Sequence, residues 1–316
     1  MHYPTDKSRR KNAIVFCVDA TYLPFAMHLA APIHFHEPHR DYDFVLVSDT
    51  ELNIPPSLDY LKVKTYPALR DKAYDNLQPL HLPRSTYLRL WAPLLLSQDY
   101  ERILYLDSDM TAEGAGFSKL LRIDLKGNVL AAVRDVQQWY RPQRQVAEFR
   151  LAERPLRRYF NAGLMLIDVD QYSREDVLGR ALHIAKHHPQ WMHHHDQSLL
   201  NLVLDGNWTE LSPIWNWQWP LKYPLFGDWL DIRLNHFIGG DKPWNDINGH
   251  APSRHYNSYK SFFEAHFPNY LPPRRRDFKT LHDTKRIIWL LMRFVFLRGK
   301  LLRFTDKFKS PYMTFK

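Results

Sequence analysis

Residues Arg102-Ile-Leu-Tyr-Leu-Asp-Ser-Asp-Met110 join an apolar, strand-like run to two carboxylates, Asp107 and Asp109. Positions two apart on a strand point to the same side, so both acids face one point just beyond the strand's carboxyl end. In an open α/β sheet that edge is where ligands bind. Two readings of the pair stand side by side at this level. It is an Asx-turn that ends a strand, or it is two hard oxygen ligands holding a divalent cation against a diphosphate.

The rest of the chain supplies the sheet that this feature needs. Ala13 to Val18 reads as a buried strand ending at Asp19, followed by a helix from Leu23 to Ala31. Further strands are expected over Asp43 to Ser48, Leu61 to Thr65, Arg102 to Leu106, Val129 to Val133 and Tyr159 to Ile167, with a helix over Arg84 to Leu96. Strand and helix alternate, which argues a mostly parallel sheet with crossover helices. Gln137 to Arg158 is polar, basic and helical in composition, and a helix after Asp170 carries a His-rich end, His193 to Asn201. Consecutive helical residues point in different directions, so His193, His194 and His195 read as surface histidines and not as a metal site. Trp208 to Trp229 is loop-like and crowded with Trp215, Trp217, Trp219 and Tyr223, which either fill the core or stack on sugars.

Composition narrows the functional classes. With 45% hydrophobic residues and a mean hydropathy of −0.47 the chain can bury a sizeable core, which argues against wholesale disorder. A net charge of +9 asks for an anionic partner: a nucleotide, a nucleic acid or an acidic membrane surface. The single cysteine, Cys17, lies inside the apolar run Ile14 to Val18 and reads as a buried structural thiol in a reducing compartment. Met1 to Lys11 lacks the apolar core of a secretory signal, and no uncharged run approaches the roughly 20 residues of a transmembrane helix. The expected location is cytoplasmic, peripheral on the inner face of the cytoplasmic membrane.

That last expectation rests on a composition break near Pro272-Pro-Arg-Arg-Arg276. It is expected to divide a main domain, 12–270, from a basic, apolar segment, 271–316. The segment's run Ile287 to Phe304 is interrupted by Arg293, Arg298, Lys300 and Arg303 and reads as an interfacial helix. Each such cation near anionic lipid contributes about 1 kcal/mol. A C-terminal helix packed on the domain is the alternative. Its apolar fraction is too high for an arm that tracks nucleic-acid phosphates, so no nucleic-acid partner is expected.

Four further segments reach the same sheet edge. Asp19 ends the first strand. Asn161-Ala-Gly163 is small enough for close backbone approach to a ligand. Asp196-Gln197 offers a carboxylate and an amide for hydroxyls. His236-Phe-Ile-Gly-Gly-Asp-Lys-Pro-Trp244 combines an imidazole, two glycines and Lys242. With Tyr-Leu-Asp-Ser-Asp at 105–109, Phe-Asn-Ala-Gly-Leu-Met at 160–165 and His-Asp-Gln-Ser-Leu-Leu-Asn at 195–201, this order resembles the retaining glycosyltransferases of family 8, the group that includes bacterial lipopolysaccharide galactosyl- and glucosyltransferases and glycogenin. The resemblance runs from about Ala13 to Trp244.

The resemblance implies a Rossmann-like nucleotide-diphospho-sugar transferase fold of the GT-A type and a metal-dependent hexosyltransferase. Asp107, Asp109 and His236 would bind Mn²⁺, with Mg²⁺ as the other candidate. The donor would be UDP-galactose or UDP-glucose, the acceptor a lipid-linked saccharide such as a lipopolysaccharide core. Lys242 and the Gly239-Gly240 backbone would meet the diphosphate, and Asp19, Ala20, Thr21 and Tyr22 the uridine. Arg89, Ser108, Asp135 and Asn161 would line the donor site. Gln197 and Asp196 would stand nearest the reacting carbon. Here Asp19 is followed by Ala20 and Thr21, where family members often carry a more polar run, so the uracil contacts transfer least well. A sugar-nucleotide-binding protein without activity, and a transferase acting on a protein or other glycan, remain as alternatives. A nucleotidyltransferase would want a glycine-rich phosphate loop that Asp19 to Pro24 lacks.

Overall fold

The computed structural model of the protein describes residues 11–68, 84–218, 226, 229–274 and 281–316. β1 (Lys11–Cys17) leads to α1 (Leu23–His36), β2 (Tyr42–Ser48), β3 (Val63–Pro67), α2 (Arg84–Leu95) and β4 (Tyr100–Leu106). These strands lie in the order β3-β2-β1-β4 and are all parallel. The chain moves outward from β1 to β3 and then returns on the other side of β1 as β4. The strand order thus reverses between β1 and β4, which opens a crevice beyond their carboxyl ends.

After β4 come β5 (Met110–Ala112), α3 (Phe117–Leu120), β6 (Leu130–Arg134), α4 (Ala147–Leu151) and β7 (Phe160–Asp168). Then follow α5 (Val169–Arg174), α6 (Val177–His187), α7 (His195–Leu204), β8 (Thr209–Glu210), β9 (Leu234–His236), α8 (Ser253–His266) and α9 (Leu281–Thr305). β7 runs antiparallel between β4 and β6, and β8 extends the sheet parallel to β6. The period of two sorts each strand's apolar residues onto two faces. Ile14, Phe16, Leu104, Leu106 and Leu166 join one core with α1, and Ala13, Val15, Ile103, Tyr105 and Met165 join the other with α2 and α5 to α7. Both faces are covered, which is why the strands read as nearly continuous apolar runs.

Two expectations need correction, and one open alternative is decided. Residues 137–158 hold only a 3₁₀ turn, Val136–Gln138, and the five-residue α4. Pro142 and Pro155 lack an N–H and disfavour helical backbone before them, so no single helix runs through the segment. The region after Asp170 is three helices instead of one, broken at Asp176, which has a left-handed φ of 47°, and at Pro189. The three exposed histidines stand at the start of α7, not at a helix end. In the tryptophan-rich loop, Trp208, Trp215 and Trp217 are fully buried. Trp217 packs on Trp139 and Phe226, and Trp215 on Phe117 and Tyr312, so these rings are core and cannot stack on an acceptor. Trp219 and Tyr223 lie outside the described residues.

α9 has two characters. Its end is docked: Leu301 and Phe304 are buried, and Phe304 stacks on Trp139 with ring centroids 5.7 Å apart. Beyond it Phe315 pairs with Glu210 through two backbone hydrogen bonds, which covers β8. Its middle is bare: Ile288, Trp289, Leu291, Met292, Val295 and Phe296 are exposed. Among the described residues no helix is long and apolar enough to cross a membrane. Because Trp217 fills the space between Trp139 and Phe226, Trp217→Ala should cost about 3–5 kcal/mol, read as a lowered urea midpoint with an unchanged slope.

Candidate active site

The β1/β4 crevice holds a cleft of about 330 Å³ lined by Cys17, Val18, Asp19, Thr21, Tyr22, Arg89, Tyr105, Asp107, Ser108 and Asp109. Asp19 closes the turn after β1: its Oδ1 accepts from the N–H groups of Thr21 (2.9 Å) and Tyr22 (3.0 Å). Cys17 borders the cleft, but burial pushes its thiol up to about 12, so it is no thiolate nucleophile.

Asp107 and Asp109 lie on the connection from β4 to β5, and a second, two-stranded sheet brings a third ligand to them. β5 pairs antiparallel with β9 so that Met110 lies opposite His236, and the Phe237 N–H donates to the Asp109 carbonyl at 3.0 Å. His236 Nε2 thereby stands 3.1 Å from Asp109 Oδ1 and 3.8 Å from Asp107 Oδ2. One ligand atom from each of the three residues lies within 4.8 Å of the others.

Each ligand is held from behind. Asp107 Oδ1 accepts from Tyr105 Oη (2.6 Å) and pairs with Arg89 Nη1 (3.0 Å), which turns Oδ2 toward His236. His236 Nδ1 bonds Asn216 Oδ1 at 3.0 Å. The Asn216 amide NH₂ is committed to Asn161 Oδ1 (2.9 Å), so Asn216 Oδ1 is an acceptor, Nδ1 carries a proton and Nε2 is the ring nitrogen that faces the carboxylates. Gly163 makes room for the ring: a Cβ there would lie 2.3 Å from His236 Cε1. The small residues of Asn161-Ala-Gly163 thus admit the imidazole, where close approach of a ligand was expected.

A divalent cation fits this cradle. Asp109 Oδ1 is buried and has no hydrogen-bond partner among the described residues. The two carboxylates and one imidazole form a mixed O/N set that suits manganese better than calcium. Burial alone would raise the Asp109 carboxyl, but His236 and Lys242 hold it well below the usual carboxylate range. Lys242 Nζ lies 2.5 Å from both Asp109 Oδ2 and the Phe237 carbonyl.

A second group joins this centre through hydrogen bonds. Asn161 Nδ2 donates to Gln197 Oε1 (3.2 Å), so one chain of bonds runs from His236 through Asn216 and Asn161 to Gln197. Gln197 Oε1 also accepts from the Ala162 N–H (3.0 Å), and its Nε2 faces Asp135 Oδ2 at 3.5 Å. Asp135 caps the turn at Gln137, and burial raises its carboxyl pKa. Asp196 is buried and pairs with Arg89 Nε at 2.9 Å. Arg89 therefore bridges Asp107 and Asp196 with its guanidinium over the Tyr105 ring.

Of the anticipated residues, Asp19, Thr21, Tyr22, Arg89, Asp107, Ser108 and Asp109 share the crevice, with His236, Asn161, Asp135, Asp196, Gln197 and Lys242 tied to it. Ala20 is exposed and its carbonyl accepts from Tyr270 Oη. Gly239 and Gly240 are exposed with nothing within 4 Å of where a Cβ would sit. Two supporting residues went unread. Tyr105 shares a strand face with Asp107, a signal the period of two carries. Asn216 has no sequence signal, since it acts from a loop distant from every motif. A second cleft of about 520 Å³ adjoins the first through Tyr22, Asp109 and Lys242 and is walled by Phe25, Trp244, Tyr270 and Pro272.

Residues 13–248 match the family model "Glycosyl transferase family 8". The chain is 29% identical to general stress protein A of Bacillus subtilis over 68% of this chain and 77% of that one. It is 28% identical to the lipopolysaccharide 1,2-glucosyltransferase of Escherichia coli over 73% of this chain and 72% of that one. Among solved structures it resembles the galactosyltransferase LgtC in complex with donor and acceptor sugar analogs, with a TM-score of 0.64 and 19% identity over 79% of this chain and 95% of that one. That last likeness is one of fold.

Asn216→Leu removes the acceptor that fixes the His236 tautomer. It should weaken Mn²⁺ binding about 10–100-fold, followed by electron paramagnetic resonance of the free ion, and lower the melting temperature, because the buried Nδ1–H is left unpaired.

Proposed function

The chain belongs to glycosyl transferase family 8 and is a glycosyltransferase; we propose that it moves a hexose, galactose or glucose, from a UDP-sugar to a saccharide acceptor with retention at the anomeric carbon. The observation that carries this reading is the convergence of Asp107, Asp109 and His236 at the sheet's switch point, beside a cleft lined by Arg89, whose guanidinium reaches on to Asp196. Asp107, Asp109 and His236 would hold Mn²⁺, or Mg²⁺ in its place. When bound, the cation supplies stabilisation of the negative charge that develops on the UDP leaving group. Lys242, released from Asp109, would reach a diphosphate oxygen as a point charge. Tyr22, Phe25, Trp244 and Tyr270 line a surface on which a pyrimidine or pyranose ring stacks.

Neither side chain nearest the sugar is free to attack it. Gln197 Oε1 already accepts two hydrogen bonds, and an amide is a poor nucleophile. Asp196 is locked onto Arg89. This supports attack by the acceptor hydroxyl on the face from which UDP departs. The bond from C1 to the β-phosphate oxygen breaks, the acceptor oxygen bonds C1, and the acceptor proton passes to the leaving phosphate. A glycosyl ester of Asp196 trapped with a slow fluorinated donor would overturn this route.

The acceptor reading draws on α9. Its exposed apolar middle, interleaved with Arg293, Arg298 and Lys300, supports contact with an anionic membrane surface and hence a lipid-linked saccharide such as a lipopolysaccharide core. Cytoplasmic, membrane-peripheral residence would follow. Deleting the whole segment would also strip Leu301 and Phe304 from the core, so point changes test the idea better. Val295→Ser with Phe296→Ser should lower recovery on vesicles containing anionic lipid about tenfold or more, with UDP release from a soluble donor unchanged. The central test is UDP release across UDP-glucose, UDP-galactose and their N-acetylated analogues with Mn²⁺. Release from one or both hexose donors is expected, and neither release nor binding with any of them would refute the assignment.

A further inference from the structure

α4 is a five-residue helix remote from every motif in sequence, yet it carries a carboxylate with no solvent exposure, Glu148. A buried carboxylate is costly unless its oxygens are hydrogen-bonded. Three donors converge on Oε1: Tyr159 Oη at 2.8 Å, His194 Nδ1 at 2.6 Å and Ser198 Oγ at 2.8 Å. The His194 N–H in turn donates to Ser198 Oγ at 2.7 Å. Burial by itself would raise the Glu148 carboxyl, but these bonds, His194's foremost, hold it down to about 2, so it stays ionised.

Three residues lie between the two points of that grip: His195, Asp196 and Gln197. His195 has a left-handed φ of 56°, a conformation that a side chain other than glycine adopts only when its surroundings enforce it. His194, at the N-cap of α7, makes no side-chain cap bond of its own. The third donor, Tyr159, immediately precedes β7, whose Asn161 and Ala162 both bond Gln197. Glu148 therefore joins the start of β7 to the start of α7 at the place where Asp196 turns to Arg89 and Gln197 turns to Asp135 and Asn161.

We propose that Glu148 is a positioning residue: by gripping His194 and Ser198 it holds the strained turn that presents Asp196 and Gln197 to the donor sugar. This rests on the reading of Asp196 and Gln197 as donor-facing residues given above. A carboxylate suits the task because one ionised oxygen accepts three hydrogen bonds, each stronger than a neutral one. Glutamine at 148 keeps the shape and loses the charge.

Glu148→Gln separates positioning from general stability. In the folded full-length variant, kcat for UDP-hexose consumption should fall roughly 100-fold with KM nearly unchanged. The affinity for UDP with Mn²⁺, which draws on the other side of the crevice, should match the parent. Amide hydrogen exchange in the free protein should accelerate over residues 195–198 and not over β1 or β4. A folded variant with parental kcat, or one whose UDP affinity falls in step with kcat, would overturn the proposal. Should Glu148→Gln fail to fold, Ser198→Ala and His194→Ala each remove one donor and should each lower kcat at constant UDP affinity; parental kcat in both would refute it. If the parent consumed no UDP-hexose, the donor assignment would fail, while faster exchange confined to 195–198 would still support the grip and unchanged exchange would refute it.

Discussion

Three backbone pairs, Met110 with His236, Thr111 with Asn235 and Ala112 with Leu234, hold the candidate site together. They set β9 against the strand that begins one residue after Asp109, so the imidazole meets two carboxylates more than 120 positions earlier in the chain. Cross-strand neighbours on such a pair sit about 5 Å apart, so the residue just before Met110 comes within side-chain reach of the imidazole. Gly163 is the complement of this pairing, because only a residue without a Cβ lets the ring lie against β7. The remainder of the centre, from Arg89 to Asn216, serves to orient what that pairing has brought together.

The orienting network runs without a break from His236 to Gln197. His236, Asn216, Asn161 and Gln197 share one chain of hydrogen bonds, and Arg89 closes a second path from Asp107 to Asp196. Buried polar groups in such a network are costly singly and mutually satisfied together. The three candidate ligands and the pair Asp196 and Gln197 are therefore mechanically one unit. Glu148 anchors that unit from outside the crevice, through a turn whose backbone is not at rest.

What could be read in advance follows from periodicity and from where strands end. The alternation of buried strands with helices, Asp19 and Asp107 at neighbouring carboxyl ends, and Asp107 with Asp109 on one side were all legible, because each depends on residues two to a few positions apart. The tryptophans of 208–217 were not, since an aromatic ring in an irregular loop carries no period that says whether it faces core or solvent. The supposed helix over 137–158 failed for a local reason, two prolines inside a favourable composition. Asn216 and Glu148 escaped because an Asn or a Glu acquires meaning only from the partner it meets.

By itself the sequence determined the class of fold, the family and the chemical character of the site: hard oxygen ligands, one imidazole and one lysine near a strand edge. These are properties of local pattern and residue type, which survive without knowledge of the path between them. Only the tertiary structure decided that His236 offers Nε2, that Gln197's carbonyl oxygen is already engaged, that Arg89 joins two carboxylates and that Glu148 grips the turn at 194–198. Those decisions rest on bonds between segments tens of residues apart, and hydrogen-bond geometry at that range is set by how sheets and helices stack, which no local pattern encodes.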